Sequence, residues 1–240
     1  MGKIVISENV SLDGVIEDPS GVEGFKHGGW VGKVTDRAEA GKRLFDEALG
    51  AEAQLFGRRT YEFLAARWPS RDGALADRLN SMPKYVVSST LEDPEWNNTR
   101  VLKGDAVEEV SKLKQELHGQ IVVAGSIQLA RALIEHDLVD ELRLLVYPVV
   151  LGTGERLFGE TRDKKPVRLV GTRSLDDLAL LTYELVRDAE RSRTAPAFGT
   201  SARPLSGGPV GCPSYTPRLR VRRPAGRHDH HRRPPDVAGG

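Results

Sequence analysis

The chain has 240 residues and a formal net charge of +1, long enough for one large domain with a substantial core. Residues 193–240 hold nine Arg, two Asp and no Lys or Glu, a net of +7, which leaves −6 for everything before them. A mildly acidic body argues against nucleic acid as a partner, and the lone cysteine, Cys212, excludes an intrachain disulfide and a thiolate metal site.

No apolar run reaches the ~18 residues of a membrane span. The start, Met1-Gly-Lys, leads straight into a strand pattern with nothing like a signal peptide. A cytoplasmic protein without a membrane partner is therefore expected.

The segment Lys3–Glu17, "KIVISENVSLDGVIE", alternates and is rich in Val and Ile, so it reads as a strand before the turn "DPSG". Gly21 to Thr35 is loop-like, with Phe25, His27 and Trp30 among glycines. "TDRAEAGKRLFDEALGAE" follows as a helix, with Thr35 or Asp36 as N-cap and Ala40, Leu44, Phe45 and Leu49 at helical spacing. "AQLF" is a short buried strand, and "RRTYEFLAARW" is helical until Pro69.

"KYVVSST" is the next strand, "DAVEEVSKLKQEL" a solvated charged helix, and "QIVVAG" a strand. "SIQLARALIEHDL" is a helix with Ile127, Leu129, Ala130, Leu133 and Ile134 apolar. "VDELRLLVYPVVLG" is a long strand in which Pro148 predicts an edge position or a bulge. "VRLVGTRSLDDLALLTYELV" adds two strands around a polar turn. Strands alternating with helices predict an α/β sheet, mostly parallel, with antiparallel strands at the C-terminal end.

Residues 1–190 form the expected domain, and 191–240 an Arg/Pro/Gly-rich tail with eight of the fourteen prolines. That tail shows neither strand nor helix periodicity and is expected to be disordered. Its abrupt loss of Lys, Glu and Ile also suits a GC-rich gene read out of frame, which resequencing tests. The tail's "GRHDHH" is read as an adventitious metal binder, so no physiological metal site is expected.

Three strand ends carry the chemistry. "LFGRRTYE" sets Gly57, Arg58, Arg59 and Thr60 where a strand gives way to a helix. Backbone N–H groups and the dipole at such a point favour an anion, and arginine offers forked donors to phosphate. Ordinary surface arginines explain the same residues. "YVVSST" ends in Ser88, Ser89 and Thr90, hydroxyls that either meet a ligand or cap a turn. "VVAGSIQL" places Gly125 and Ser126 directly before a helix, where small residues admit a pyrophosphate. Together they predict a phosphorylated nucleotide at the carboxyl ends of the strands, and the paired arginines favour NADPH over NADH. Asp13 in "SLDG" either forms a turn or holds the loop after the first strand, and Trp30 and Phe25 either pack that loop or cover the ligand.

The stretches "ENVSLDGVIE", "FGRRTYE", "YVVSS", "VVAGSIQLARALIE" and "LVDELRLLVYPVVLGTGERLF" resemble the dihydrofolate-reductase-like superfamily. They are most similar to the reductase domain forming the C-terminal half of the bifunctional riboflavin-biosynthesis protein and its stand-alone bacterial relatives, over about Gly2 to Arg187. The resemblance implies a three-layer α/β fold with a central eight-stranded sheet and helices on both faces, NADPH across the strand ends, a small-molecule substrate and a homodimer.

By motif, the resemblance places cofactor phosphate at Gly57, Arg58, Arg59 and Thr60, and the adenine-ribose side at Ser88 and Ser89. The pyrophosphate loop falls at Gly125, Ser126, Ile127 and Gln128. Asn9, Ile16 and Thr153 fall near the nicotinamide. It implies hydride transfer to a small heterocyclic or carbonyl carbon, formally the ribosylamino-pyrimidine of riboflavin synthesis.

Two departures qualify it. Matching Phe45 to the superfamily's helix aromatic puts the folate-gripping carboxylate position at Gly41 or Ala40, so Asp36 and Glu39 are the nearest proton-relay candidates and are out of register. No H-x-E with P-C-x-x-C occurs, so the zinc deaminase half is absent from this sequence. The competing readings are a non-catalytic nucleotide- or pterin-binding module and a dihydrofolate reductase.

Overall fold

A computed structural model describes residues 1–34 and 37–186. Its strands are β1 (Lys3–Ser11), β2 (Ala51–Gly57), β3 (Lys84–Val87), β4 (Thr99–Leu102), β5 (Gln120–Val123), β6 (Glu141–Tyr147), β7 (Val167–Leu175) and β8 (Leu178–Leu185). Its helices are α1 (Val31–Val34), α2 (Arg37–Gly50), α3 (Arg58–Ala65), α4 (Ala74–Ser81), α5 (Ala106–Glu116) and α6 (Ile127–Glu135).

All eight strands join one sheet in the order β4-β3-β2-β5-β1-β6-β8-β7. Pairing is parallel from β4 through β6, and antiparallel for β6–β8 and β8–β7. This is the α/β architecture expected from the alternation of strands and helices.

Side-chain parity along β1 builds the two outer layers. Ile4, Ile6 and Val10 pack with Val110 and Leu113 of α5 and with Leu129, Ala130, Leu133 and Ile134 of α6. Val5 points the other way, into a cluster with Ala48 of α2, Tyr61 of α3, Leu79 of α4 and Trp96. Buried on both faces, β1 and β5 read as near-continuous Val/Ile runs, as central parallel strands do.

Three expectations change. β6 lies inside the sheet between β1 and β8, and Pro148 follows its last residue, so the proline ends an interior strand and marks no edge. α4 and β4 have no counterpart in the sequence reading. α4 begins at Gly73 with no side-chain cap, and β4, "TRVL", offers only two apolar residues, so neither gives a start signal or an apolar run.

α2 is rotated from its predicted face: Leu44 and Leu49 are 39% and 56% exposed. Ser7, on the β1 face beneath α2, is the reason. Its hydroxyl donates to Glu47 at 2.8 Å and accepts from Arg43 at 2.6 Å. Arg143 of β6 also donates to Glu47 at 3.1 Å. A buried hydroxyl without partners is costly, so the polar stripe of α2 turns inward to supply them.

Candidate active site at the strand termini

Six parallel strands end on one edge of the sheet, and their order brings Gly57 after β2 next to the Ala124–Ser126 turn after β5. Two reciprocal bonds lock these turns together. The Gly57 N–H donates to the Ser126 hydroxyl at 2.9 Å, and the Ser126 N–H donates to the Thr60 hydroxyl at 2.9 Å. Thr60 and Ser126 thus spend their hydroxyls on holding the cradle.

Gly125 and Ser126 both adopt left-handed backbone, with φ of 60° and 56°. A Cβ on Gly125 would lie 3.1 Å from Thr60, so glycine permits this close approach. Gly57 differs: its φ is −80°, and a Cβ there would meet Ser126 at an ordinary 3.7 Å.

α3 and α6 begin side by side at these turns, and neither carries a side-chain N-cap. The first amides of a helix have no partner within it, so two positive helix ends face the same edge. Arg58 is held in place by Glu62 at 2.6 Å and by the Thr90 hydroxyl. Arg59 is 89% exposed and lies 3.7 Å from Glu23.

On the β3 side, the Ser88 hydroxyl accepts the Thr90 and Leu91 N–H groups at 3.2 and 3.0 Å, which makes it a turn cap. Ser89 is exposed. Ile127 is half-buried and Gln128 exposed at the start of α6.

On the β1–β6 side, carboxylates build the loops. Asp13 accepts the Ser11 hydroxyl and the Leu151 and Gly152 N–H groups. These bonds, the Leu151 N–H foremost and then the Ser11 hydroxyl, hold its carboxyl down at about 2. Glu17 accepts the Glu155 N–H at 2.8 Å, and the Ile16 N–H donates to the Glu155 carbonyl at 2.9 Å.

Asp18 gathers the glycine-rich loop by accepting from Val22 and Phe25. Burial pushes its carboxyl up, but the surrounding backbone N–H groups outweigh that and leave it lowered. Trp30 is buried edge-on against Tyr147 with ring centroids 5.3 Å apart, and its indole N–H donates to the Glu17 carbonyl. It anchors the loop.

Of the remaining candidates, Asn9 is half-buried beside Leu145, Ile16 is packed in the core, and Thr153 lies exposed in the loop tied to Asp13. Glu39 sits exposed in the first turn of α2, and Asp36 lies outside the described residues. Sequence reasoning passed over Glu8, which stands in β1 beside the Gly125 turn. It is 7% exposed, and its Oε1 has no hydrogen-bond partner among the described residues.

The RibD C-terminal domain family matches residues 2–181 in sequence. The chain belongs to that family. It is 28% identical over 178 residues to the uncharacterized protein YyaP of Bacillus subtilis (strain 168), covering 72% of this chain and 88% of that one. A putative riboflavin biosynthesis protein from Shewanella sp. PV-4 has the same fold, with a TM-score of 0.61 and 21% identity over 77% of this chain and 99% of that one.

The diaminohydroxyphosphoribosylaminopyrimidine deaminase/5-amino-6-(5-phosphoribosylamino)uracil reductase of Thermotoga maritima also shares the fold, at a TM-score of 0.54 and 16% identity. The match covers 77% of this chain and 57% of that enzyme. Among the described residues, no helix is long and apolar enough to cross a membrane.

Proposed function

We propose that this member of the RibD C-terminal domain family is a cytoplasmic, homodimeric, NADPH-dependent reductase of a small heterocyclic or carbonyl compound. 5-Amino-6-(5-phosphoribosylamino)uracil is the first substrate to try. The observation that carries the reading is the pair of uncapped helix starts, α3 and α6, clamped side by side by Gly57, Thr60 and Ser126, with the exposed Arg59 in the first turn of α3. That geometry suits the diphosphate of a dinucleotide, whose reduced nicotinamide supplies a hydride.

The chain's own contribution is positioning. Amides at the starts of α3 and α6 would hold the diphosphate, and Arg59 would hold the ribose phosphate. The loops tied down by Asp13, Glu17 and Asp18 border the nicotinamide end and limit water.

Titration calorimetry with NADPH and NADH tests the cradle: NADPH should bind more tightly. Arg59→Ala should weaken NADPH by about 1–2 kcal/mol, the worth of an exposed charge-assisted bond, and leave NADH nearly unaffected. No heat with either coenzyme would remove the reading. A competing reading, a nucleotide-binding module without turnover, draws on the exposure of Glu39. Steady NADPH oxidation with the pyrimidine substrate excludes it.

A further inference from the structure

Glu8 is a carboxyl in the middle of a Val/Ile strand. Its parity matches Ile4, Ile6 and Val10, which pack in the α5–α6 layer, so it lies on the α6 side of the sheet. β1 and β5 run in parallel register up to Ile6 opposite Val123. Two residues further on, Glu8 therefore stands beside the left-handed turn at Gly125. On its other side β6 offers the apolar Leu144.

We propose that Glu8 is the floor of the dinucleotide cradle, a positioning residue that works as an uncharged carboxylic acid and links its proton to the binding of an anion above it. This rests on the cradle reading just given. Three features of the site support it. Glu8 is 7% exposed. Among the described residues its Oε1 is buried without a partner, so a proton there makes a donor still in need of an acceptor. Finally, the two charged groups that act on it, both on α2, oppose each other: Glu47 disfavours its ionisation and Arg43 favours it.

Arg43 is already engaged with Ser7 and Glu47, and the turn between β5 and α6 contributes the Gly125 N–H. Burial dominates this balance and holds the carboxyl well above the usual carboxylate range. The sign of the linkage follows. An anion in the cradle repels an ionised Glu8, so binding favours the protonated form. Affinity therefore falls as pH rises through the Glu8 titration, by at most about tenfold per pH unit for one proton.

The test is calorimetry on the full chain from pH 6 to 10 with NADPH and, separately, NADH, in paired buffers of different ionisation heat. Wild type should take up a proton on binding as pH rises through the Glu8 titration, with the same pH slope for both coenzymes, because the slope belongs to Glu8 and not to the ribose phosphate. Glu8→Gln, neutral at every pH, should bind NADPH with a flat profile; Glu8→Asp should restore a slope.

Proton uptake by wild type stands alone as a readout if either variant misfolds. A slope that persists in Glu8→Gln, or wild-type binding without proton uptake, overturns the proposal while leaving the cradle intact. Wild type that binds neither coenzyme overturns the cradle and this inference together.

Discussion

Lys84 shows how a single side chain organises the edge of the sheet. Fully buried, its ammonium donates to the carbonyls of Asn80, Met82 and Asn97 at 2.9–3.1 Å and lies 4.5 Å from the Trp96 ring centre. Burial pulls its pKa down to about 8. Lys84→Met fills similar space but leaves three carbonyls unpaired. It should destabilise the fold by about 2–4 kcal/mol in urea unfolding, and a loss within error would show that water replaces the ammonium. The sequence offers one signal for this residue and for Glu8: a charged side chain at a position whose strand neighbours are buried. For Glu8 that signal, "KIVISENV", was legible and went unread, because a strand's face cannot be named until its partner layer is known.

At the scale of elements, the joined turns of β2 and β5 carry the site. Gly125→Ala puts a Cβ 3.1 Å from Thr60 on a left-handed residue. The strain should cost about 1–2 kcal/mol of stability. Because relief requires moving the Ser126 amide off Thr60, coenzyme affinity should fall too. Gly57→Ala serves as the contrast, since its backbone is extended and its Cβ has ordinary room. Comparable losses in the two variants would refute this account of the turn.

The same scale explains which elements were legible. β1, β5, α5 and α6 announce themselves through long apolar periods and, for α5, through Asp105, which caps the Val107 and Glu108 amides. α4 lacks a cap and β4 an apolar run, and their formation depends on Trp96 and Leu79 entering the core beside β3. α2 misled for a different reason. Its leucines predict one face, but Ser7, Glu47 and Arg143, brought together from β1, α2 and β6, chose another.

Over the whole molecule, acid should be the weak point. Asp13 is held at about 2. For Asp18 and Glu141, burial works against ionisation but is outweighed, by backbone N–H groups for the first and by Lys3 and Arg143 for the second, so both are lowered. Folded values below unfolded ones mean that these groups stabilise the fold above the ordinary carboxylate range. That contribution is lost as pH falls through the folded values, toward about 2 for Asp13.

Glu8 has the opposite sign: its share is present at low pH and is lost as pH rises through its raised value. Thermal melts should show Tm dropping between pH 4 and pH 2, less steeply in Asp13→Asn. As pH rises above the ordinary carboxylate range, Glu8→Gln should melt increasingly above wild type. Parallel curves for wild type and both variants would contradict these assignments.

Local sequence was sufficient for the architecture, because alternating strands and helices with right-handed crossovers leave few topologies, and these put the Gly57 and Gly125 turns on one edge. Tertiary structure alone decided what each polar group there does. Whether Ser126, Thr60 and Ser88 meet a ligand or one another, whether Asp13 turns or ties, and whether Glu8 is buried all depend on contacts between residues far apart in the chain. Hydrogen bonding and desolvation act over a few ångströms in space, and no spacing along the sequence reports that distance.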